Sequence, residues 1–144
     1  MGESVNLVEI KGAYKCYHKK ENPKEYAVYN VNLNIKKGEV LGLVGESGCG
    51  KSSLAKMILK LEQPTKGRIL FNEQDITDYS FSQMRKIRNR MQMVFQDSTN
   101  AFNPYYTVEQ IISEPLNNYS NEPEEEKEKK IVSMLEKVGL NKTY

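Results

Sequence analysis

The sequence predicts an α/β fold, and three observations carry that prediction. Asparagines alternate with the apolar or aromatic residues Tyr29, Val31, Leu33 and Ile35. This alternation is typical of a strand with one solvent-exposed face in an antiparallel sheet. Residues 40–44 are apolar throughout, which favours a strand buried on both faces, as in a parallel sheet. A glycine-rich loop and then a stretch with helical spacing follow directly, so a strand, a loop and a helix are expected in that order.

Composition limits the class of protein. The chain has 144 residues, enough for one domain with a core, and a net charge of only +2. Its basic residues are interleaved with acidic ones, so nucleic acid is not expected as a partner. Apolar stretches are too short for a membrane-spanning helix. Cys16 and Cys49 are too few for a disulfide framework, which predicts a reducing, cytoplasmic compartment.

Local patterns predict the elements around the loop. Apolar residues at helical spacing indicate a helix over residues 51–61. The other expected elements are a strand over residues 5–11, the alternating strand over 27–35, a turn over 36–39, a short strand over 68–71, a turn over 72–75, a basic helix over 82–90 and a strand over 92–96.

The pattern becomes helical in the last third of the chain. Thr107 and Gln110 form a capping-box signature ahead of apolar residues, which predicts the start of a helix. Pro123 near a first turn and Gly139 as a stop signal predict a second helix. We therefore divide the chain into a core with antiparallel strands and loop over residues 1–97 and the start of a helical subdomain over residues 98–144.

Residues 45–52 match the pattern G-x-x-x-x-G-K-[ST] of the P-loop, or Walker A motif. Its glycines permit positive φ, so that successive backbone N–H groups converge on an anion, and the following helix points its N-terminus at the same group. Lys51 would reach the β- and γ-phosphates, and the Ser52 hydroxyl would ligate Mg²⁺. The predicted ligands are therefore ATP and Mg²⁺. The predicted binding residues are Gly45, Glu46, Ser47, Gly48, Cys49, Gly50, Lys51, Ser52 and Ser53.

A P-loop alone does not choose among kinases, GTPases and transporter ATPases. The residues around it resemble those of the ABC-transporter ATPases, most closely the branch that drives oligopeptide, dipeptide and nickel importers. The likeness covers essentially the whole chain and is carried by residues 38–53, 92–97, 103–104, 107–108 and 112–116.

The resemblance implies two further site residues. Gln96 would contact Mg²⁺ or the attacking water, acting in catalysis with Lys51, and its Q-loop would report nucleotide state to the membrane subunits. Tyr17 would stack on adenine, since an aromatic face stacks on a purine without specific hydrogen bonds. Tyr14 and Tyr26 lie nearby in the sequence, so a sheet-packing role for Tyr17 stays open.

The resemblance also implies a fold, a function and partners. The fold is a P-loop NTPase core of the ABC ATPase type, incomplete, with an antiparallel β subdomain and the start of the helical subdomain. The function is ATP binding and hydrolysis coupled to import of peptides or a related small solute. The partners are a second ATPase subunit in a head-to-tail dimer, transmembrane permease subunits and, indirectly, an extracytoplasmic solute-binding protein. The location is the inner face of the cell membrane.

Three motifs of the resembled family are missing from the 144 residues: the signature motif, the Walker B Asp with its adjacent Glu, and the switch histidine. We therefore expect this chain to bind nucleotide with little or no hydrolysis and to expose apolar surface. Two other classes stay open, a small P-loop kinase or other NTP-dependent transferase and a non-hydrolysing ATP-binding module.

Overall fold

The computed structural model describes residues 5–18, 25–95 and 102–140. The chain forms two compact units, Met1–Gln92 and Met93–Tyr144, which are treated separately. The boundary predicted after residue 97 falls outside the described residues and stays a prediction. Within the described ranges, every helix is too short or too polar to cross a lipid bilayer.

The first unit is built on a four-stranded antiparallel sheet with the order β2-β1-β3-β4. Its strands are β1 (Asn6–Cys16), β2 (Tyr26–Lys36), β3 (Lys66–Phe71) and β4 (Gln74–Asp75). The strands predicted over residues 5–11, 27–35 and 68–71 are thus confirmed. β1 continues well beyond residue 11, because it lies at the centre of the sheet and is paired on both edges.

The regular alternation of β2 is interrupted at Asn30, which has a φ of 48°. The register between β1 and β2 shifts here, from the pair Ala13 and Val31 to the pair Lys15 and Val28. Such a bulge turns the following side chains to the opposite face of the sheet. Val28 is therefore buried and Tyr29 exposed, although the sequence pattern placed Tyr29 with Val31.

Two helices and a 3₁₀ turn complete the first unit: α1 (Lys51–Ile58), α2 (Phe81–Arg85) and the turn Arg88–Arg90. α1 is shorter than the predicted helix over residues 51–61, and Lys60 has a φ of 53°. The helix predicted over residues 82–90 is divided, since α2 ends at Arg85 and residues 86–87 form a turn before the 3₁₀ segment. α2 begins with a reciprocal capping box between Ser80 and Gln83.

One apolar core joins the sheet to α1 and α2. Ile10 and Ile69 from the sheet and Met57 from α1 are fully buried, as is Ile76 after β4. The remaining buried members are Val8, Ala13, Val28, Leu54, Phe71, Met84 and Met91. Leu54 and Met57 are the buried face of α1, so the core fixes this helix against the strands.

Two predicted strands are wrong. Residues 40–44 belong to no strand, and Val40 and Val44 are 98% and 92% exposed. The described part of the second, residues 92–95, is also irregular, with Val94 exposed. A strand buried on both faces needs neighbours that bind its N–H and C=O groups, and among the described strands neither segment has such a neighbour. The expected exposure of apolar surface is confirmed.

The second unit contains the two predicted helices, α3 (Val108–Tyr119) and α4 (Glu124–Lys137). The capping box is present: the Gln110 N–H donates to Thr107 Oγ1 at 3.2 Å, and the Thr107 N–H donates to Gln110 Oε1 at 2.9 Å. α4 follows Pro123, and Gly139 beyond its end has a φ of 80°. Both helices start where the sequence indicated, because the signals for a helix terminus are local.

Candidate functional site

The candidate site is the loop of residues 45–50 and the start of α1. Gly50 is the N-cap residue of α1, with φ 95° and ψ 3°, which is the left-handed region. A Cβ atom at this position would lie 2.0 Å from the carbonyl oxygen of Ala27. The end of the loop is therefore packed against the backbone of β2, where only glycine fits.

The loop closes on itself ahead of Gly50. The Cys49 N–H donates to the Glu46 carbonyl at 3.4 Å, and a Cβ atom on Gly45 would lie 2.7 Å from Cys49 Sγ. Gly48 has a φ of 82° and open space around it. Residues 45–49 are all exposed, so the curved backbone is accessible to a ligand.

Lys51 places its charge directly against this loop. Its ammonium group donates to the carbonyl oxygens of Gly45 at 2.7 Å and Glu46 at 2.6 Å, and lies 3.4 Å from Cys49 Sγ. The two oxygen acceptors are neutral. An anion that binds at the loop would therefore compete with uncharged oxygens for the ammonium group. A phosphate oxygen is the stronger acceptor, because it is negatively charged.

The N-terminus of α1 adds backbone donors to the same place. The first helical bond runs from the Leu54 N–H to the Gly50 carbonyl at 2.9 Å. No side chain caps the helix, and its first turn contains no acidic residue. The N–H groups of residues 51–53 thus have no acceptor within the helix, and they carry the positive end of the helix dipole. Glycine loop, ammonium group and helix N-terminus together form a cradle for phosphate.

Tyr17 is brought to α1, although it is distant in sequence. Its hydroxyl oxygen lies 2.8 Å from Ser53 Oγ in the first turn of the helix. The neighbouring candidates behave differently, because Tyr14, Tyr26 and Tyr29 contact one another edge to face with centroids 5.1 to 5.8 Å apart. Tyr14 and Tyr26 thus pack against each other and against Tyr29, whereas the Tyr17 hydroxyl contacts the first turn of α1.

Glu62 belongs to this neighbourhood and was not predicted from the sequence. Its carboxylate accepts a hydrogen bond from the Tyr17 hydroxyl at 2.6 Å and pairs with Lys15 at 3.6 Å and Lys56 at 3.5 Å. Burial alone would raise the pKa of the Glu62 carboxyl, but the Tyr17 hydrogen bond and the two lysine charges outweigh it and lower the pKa. No sequence motif marks Glu62, since the contact joins residues 45 positions apart.

An apolar cavity of about 430 Å³ lies beside the loop, between β2 and α1. Val28, Val31, Leu33 and Leu43 contribute to its wall, with Gly50 and Lys51 at one side. Its lining suits apolar groups and not a triphosphate, which requires converging donors. The cavity is therefore a feature separate from the exposed loop of residues 45–50. The predicted site residue Gln96 lies outside the described residues.

Comparison with known proteins now decides the family. The sequence pattern of the ABC transporter family matches residues 28–144, which include most of β2, the whole loop and the four described helices. The chain belongs to the ABC transporter family. The resemblance carried by the P-loop and its flanking residues is thereby confirmed.

Relatives within the ABC transporter family include ATP-binding proteins of oligopeptide transport and of nickel import. The chain is 44% identical over 119 residues to the oligopeptide transport ATP-binding protein AppF of Bacillus subtilis. It is 37% identical over 145 residues to OppF of Lactococcus lactis, and 37% over 110 residues to the nickel import ATP-binding protein NikE of Pseudomonas putida. These matches cover 82%, 99% and 76% of the chain but only 36%, 46% and 40% of the relatives. The chain thus spans less than half their length.

Solved structures of ABC ATPases confirm the fold class. The ATP-binding cassette MJ0796, in a dimeric post-hydrolysis state bound to ADP and Pi, matches with a TM-score of 0.77 and 31% identity over 94% of this chain and 59% of that one. CbiO1 of Clostridium perfringens, part of the ABC transporter complex cbiONQ, matches with a TM-score of 0.74 and 30% identity. This match covers 96% of this chain and 52% of that one. The fold is therefore an incomplete ABC ATPase cassette with an antiparallel sheet and helices.

Proposed function

We propose that this chain binds ATP with Mg²⁺ at residues 45–53, as the nucleotide-binding part of an ABC-transporter ATPase. One observation carries the proposal: the Lys51 ammonium group lies within 2.7 Å of the loop carbonyls, above a glycine loop that leads into an uncapped helix N-terminus. A triphosphate fits this arrangement because it brings the negative charge that the carbonyl acceptors of Lys51 lack, and because it supplies acceptors for the N–H groups of residues 51–53.

Each site residue then has a physical task. Lys51 exchanges its carbonyl acceptors for β- and γ-phosphate oxygens, while the backbone N–H groups of the loop and of residues 51–53 hold the remaining oxygens. Tyr17 stacks on the base. Lys51 and Gln96 are the residues we propose to act on the transferred phosphoryl group.

Mg²⁺ would arrive with the nucleotide. Among the described residues there is no group of three or more His, Cys, Asp or Glu side chains suited to a metal ion. Mg²⁺ keeps several waters and needs only one or two protein ligands when phosphates supply the other oxygens. Ser52, exposed at the start of α1, is the proposed first ligand and Gln96 the second. The ion would neutralise charge on the phosphates.

The names of the relatives support a wider proposal for the longer protein. AppF and OppF are oligopeptide transport proteins and NikE is a nickel import protein, so we propose ATP-driven import of peptides or a related small solute. The dimeric cassette structure supports a second ATPase subunit as partner, and the cbiONQ complex supports permease subunits. The head-to-tail arrangement of the two ATPase subunits is part of our proposal. A solute-binding protein would act indirectly. The chain would lie at the inner face of the membrane, with residues 1–97 and 98–144 as its two domains.

Equilibrium binding tests the core of this proposal. We expect the chain to bind MgATP in isothermal titration calorimetry, and Lys51→Ala to weaken binding at least about tenfold, since a hydrogen bond to a charged group contributes roughly 1.5–3 kcal/mol. Lys37→Ala is the matched control, because Lys37 is an exposed lysine in the turn after β2. Equal affinity of the Lys51→Ala variant and the unmodified chain, or no binding by either, would contradict the proposal.

A further inference from the structure

A polar cluster of Tyr17, Ser53 and Glu62 joins the end of β1 to α1. The Tyr17 hydroxyl donates to the Glu62 carboxylate at 2.6 Å. Because the hydroxyl has a single proton, it accepts from Ser53 Oγ at 2.8 Å. Ser53 lies in the first turn of α1 and Glu62 just beyond its end. One hydroxyl therefore connects the first turn of α1 to the segment that follows the helix.

Glu62 is itself held in place by charge. Lys15 and Lys56 approach its two carboxylate oxygens at 3.6 and 3.5 Å. The Lys15 ammonium group is fixed in turn, since it also donates to the Gln63 carbonyl at 2.8 Å. The carboxylate thus has a defined position, and a hydrogen bond to an ionised acceptor is about twice as strong as a neutral one.

The Tyr17 ring is oriented by these contacts. Lys15 Nζ lies 5.0 Å from the ring centroid, so a cation–π contact occupies one face. The residue is nevertheless 57% exposed. A ring fixed at its hydroxyl and on one face has its second face left for a planar ligand. The hydrogen bond to Ser53 also brings the ring near Lys51, which is two residues from Ser53 in the sequence.

We propose that Glu62 is a positioning residue for base recognition: it holds Tyr17, together with Ser53, so that the second ring face stacks on the purine of a nucleotide whose phosphates lie in the loop. The inference rests on the proposed binding of ATP at residues 45–53. Without the carboxylate, Ser53 and Lys15 are the anchors that remain among the described residues, and the ring must be ordered again each time a base binds.

The test compares MgATP with magnesium tripolyphosphate, which has the phosphates and no base. We expect the unmodified chain to bind ATP about tenfold more tightly, because stacking of a base on an aromatic side chain is strong. Glu62→Leu removes the acceptor and should lower ATP affinity roughly threefold or more, with tripolyphosphate binding unchanged. Glu62→Gln keeps an amide oxygen as acceptor and should retain most of the ATP preference. Glu128→Gln, at an exposed position of α4, is the control.

A second readout needs no nucleotide. Burial raises the pKa of the Tyr17 hydroxyl, and the hydrogen bond to Glu62 raises it further. In an ultraviolet absorbance titration, Glu62→Leu should therefore ionise one tyrosine at lower pH than the unmodified chain. The difference should vanish in a Tyr17→Phe background.

The outcomes separate this inference from the proposed function. An unchanged ATP preference in Glu62→Leu overturns the inference and leaves phosphate binding by the loop intact. An equal loss of affinity for ATP and tripolyphosphate in Glu62→Leu also overturns the inference, because Glu62 then acts through the shape of the loop and not through the base. Equal binding of ATP and tripolyphosphate by the unmodified chain excludes base stacking. Binding of neither ligand refutes the proposed function, and this inference with it.

Discussion

A Cβ atom on Gly50 would lie 2.0 Å from the carbonyl oxygen of Ala27. That oxygen belongs to the backbone of β2, so it cannot rotate away as a side chain would. Gly50 also has a φ of 95°, a conformation that L side chains rarely adopt. The position of the phosphate loop on the sheet thus depends on a residue without a side chain.

The Gly50 contact predicts unequal effects of two alanine substitutions. Gly50→Ala should destabilise the fold by about 3 kcal/mol, because backbone strain and a steric clash act together. Gly48→Ala also strains a positive φ but meets no atom within 4 Å, and should cost only about 1 kcal/mol. Urea unfolding followed by far-ultraviolet circular dichroism measures both. Equal free energies of unfolding would show that the approach to Ala27 has no energetic effect.

The Glu62 carboxyl predicts a pH dependence of stability. Its pKa is lowered in the folded chain, so it contributes stability above its unfolded pKa of about 4.3, and this contribution is lost as the pH falls through the folded pKa. Glu62→Gln should therefore reduce the urea midpoint more at about pH 7 than at about pH 3. An equal reduction of the urea midpoint by Glu62→Gln at the two pH values would contradict a lowered pKa of the Glu62 carboxyl.

Two valines test where the core lies. Val28 is 5% exposed in β2, whereas Val44 is 92% exposed just before the loop. Val28→Ala should cost about 2 kcal/mol, since it opens a cavity in the core, and Val44→Ala should stay within about 0.5 kcal/mol. The same urea titration compares them. A large loss for Val44→Ala would mean that residues 40–44 are packed in solution.

The capping box predicts a local effect in the second unit. Thr107→Ala removes the acceptor for the Gln110 N–H and should destabilise α3 by about 1 kcal/mol. Thr107→Ser keeps the hydroxyl and should retain most of the stability. Helical content from circular dichroism during urea unfolding distinguishes the two. Identical unfolding curves for the alanine and serine variants would show that the Thr107 cap does not stabilise α3.

Features encoded by a few neighbouring residues were predictable from the sequence. The P-loop needs glycines, a lysine and a hydroxyl within eight positions, and the Thr107 capping box needs only four. The place of β2 in an antiparallel sheet followed from the alternation of Val31, Leu33 and Ile35 with asparagines. Local rules gave the right elements there because the partner groups are close in sequence.

Features that depend on distant residues were not predictable in this way. Residues 40–44 are exposed, because burying such a segment requires neighbouring strands and apolar composition alone does not provide them. The bulge at Asn30 reversed the facing of Tyr29 and Val28, since alternation says nothing about a shift in register. Glu62 was not predicted from the sequence, because it contacts Tyr17 only when β1 and α1 have packed together.

Hydrogen–deuterium exchange of the chain with and without MgATP tests phosphate binding by the loop most directly. Binding at this site predicts slower exchange of the backbone N–H groups of residues 45–53 when MgATP is added, and no such change in Lys51→Ala. Unaltered exchange in this segment, with nucleotide-dependent protection elsewhere in the chain, would contradict it.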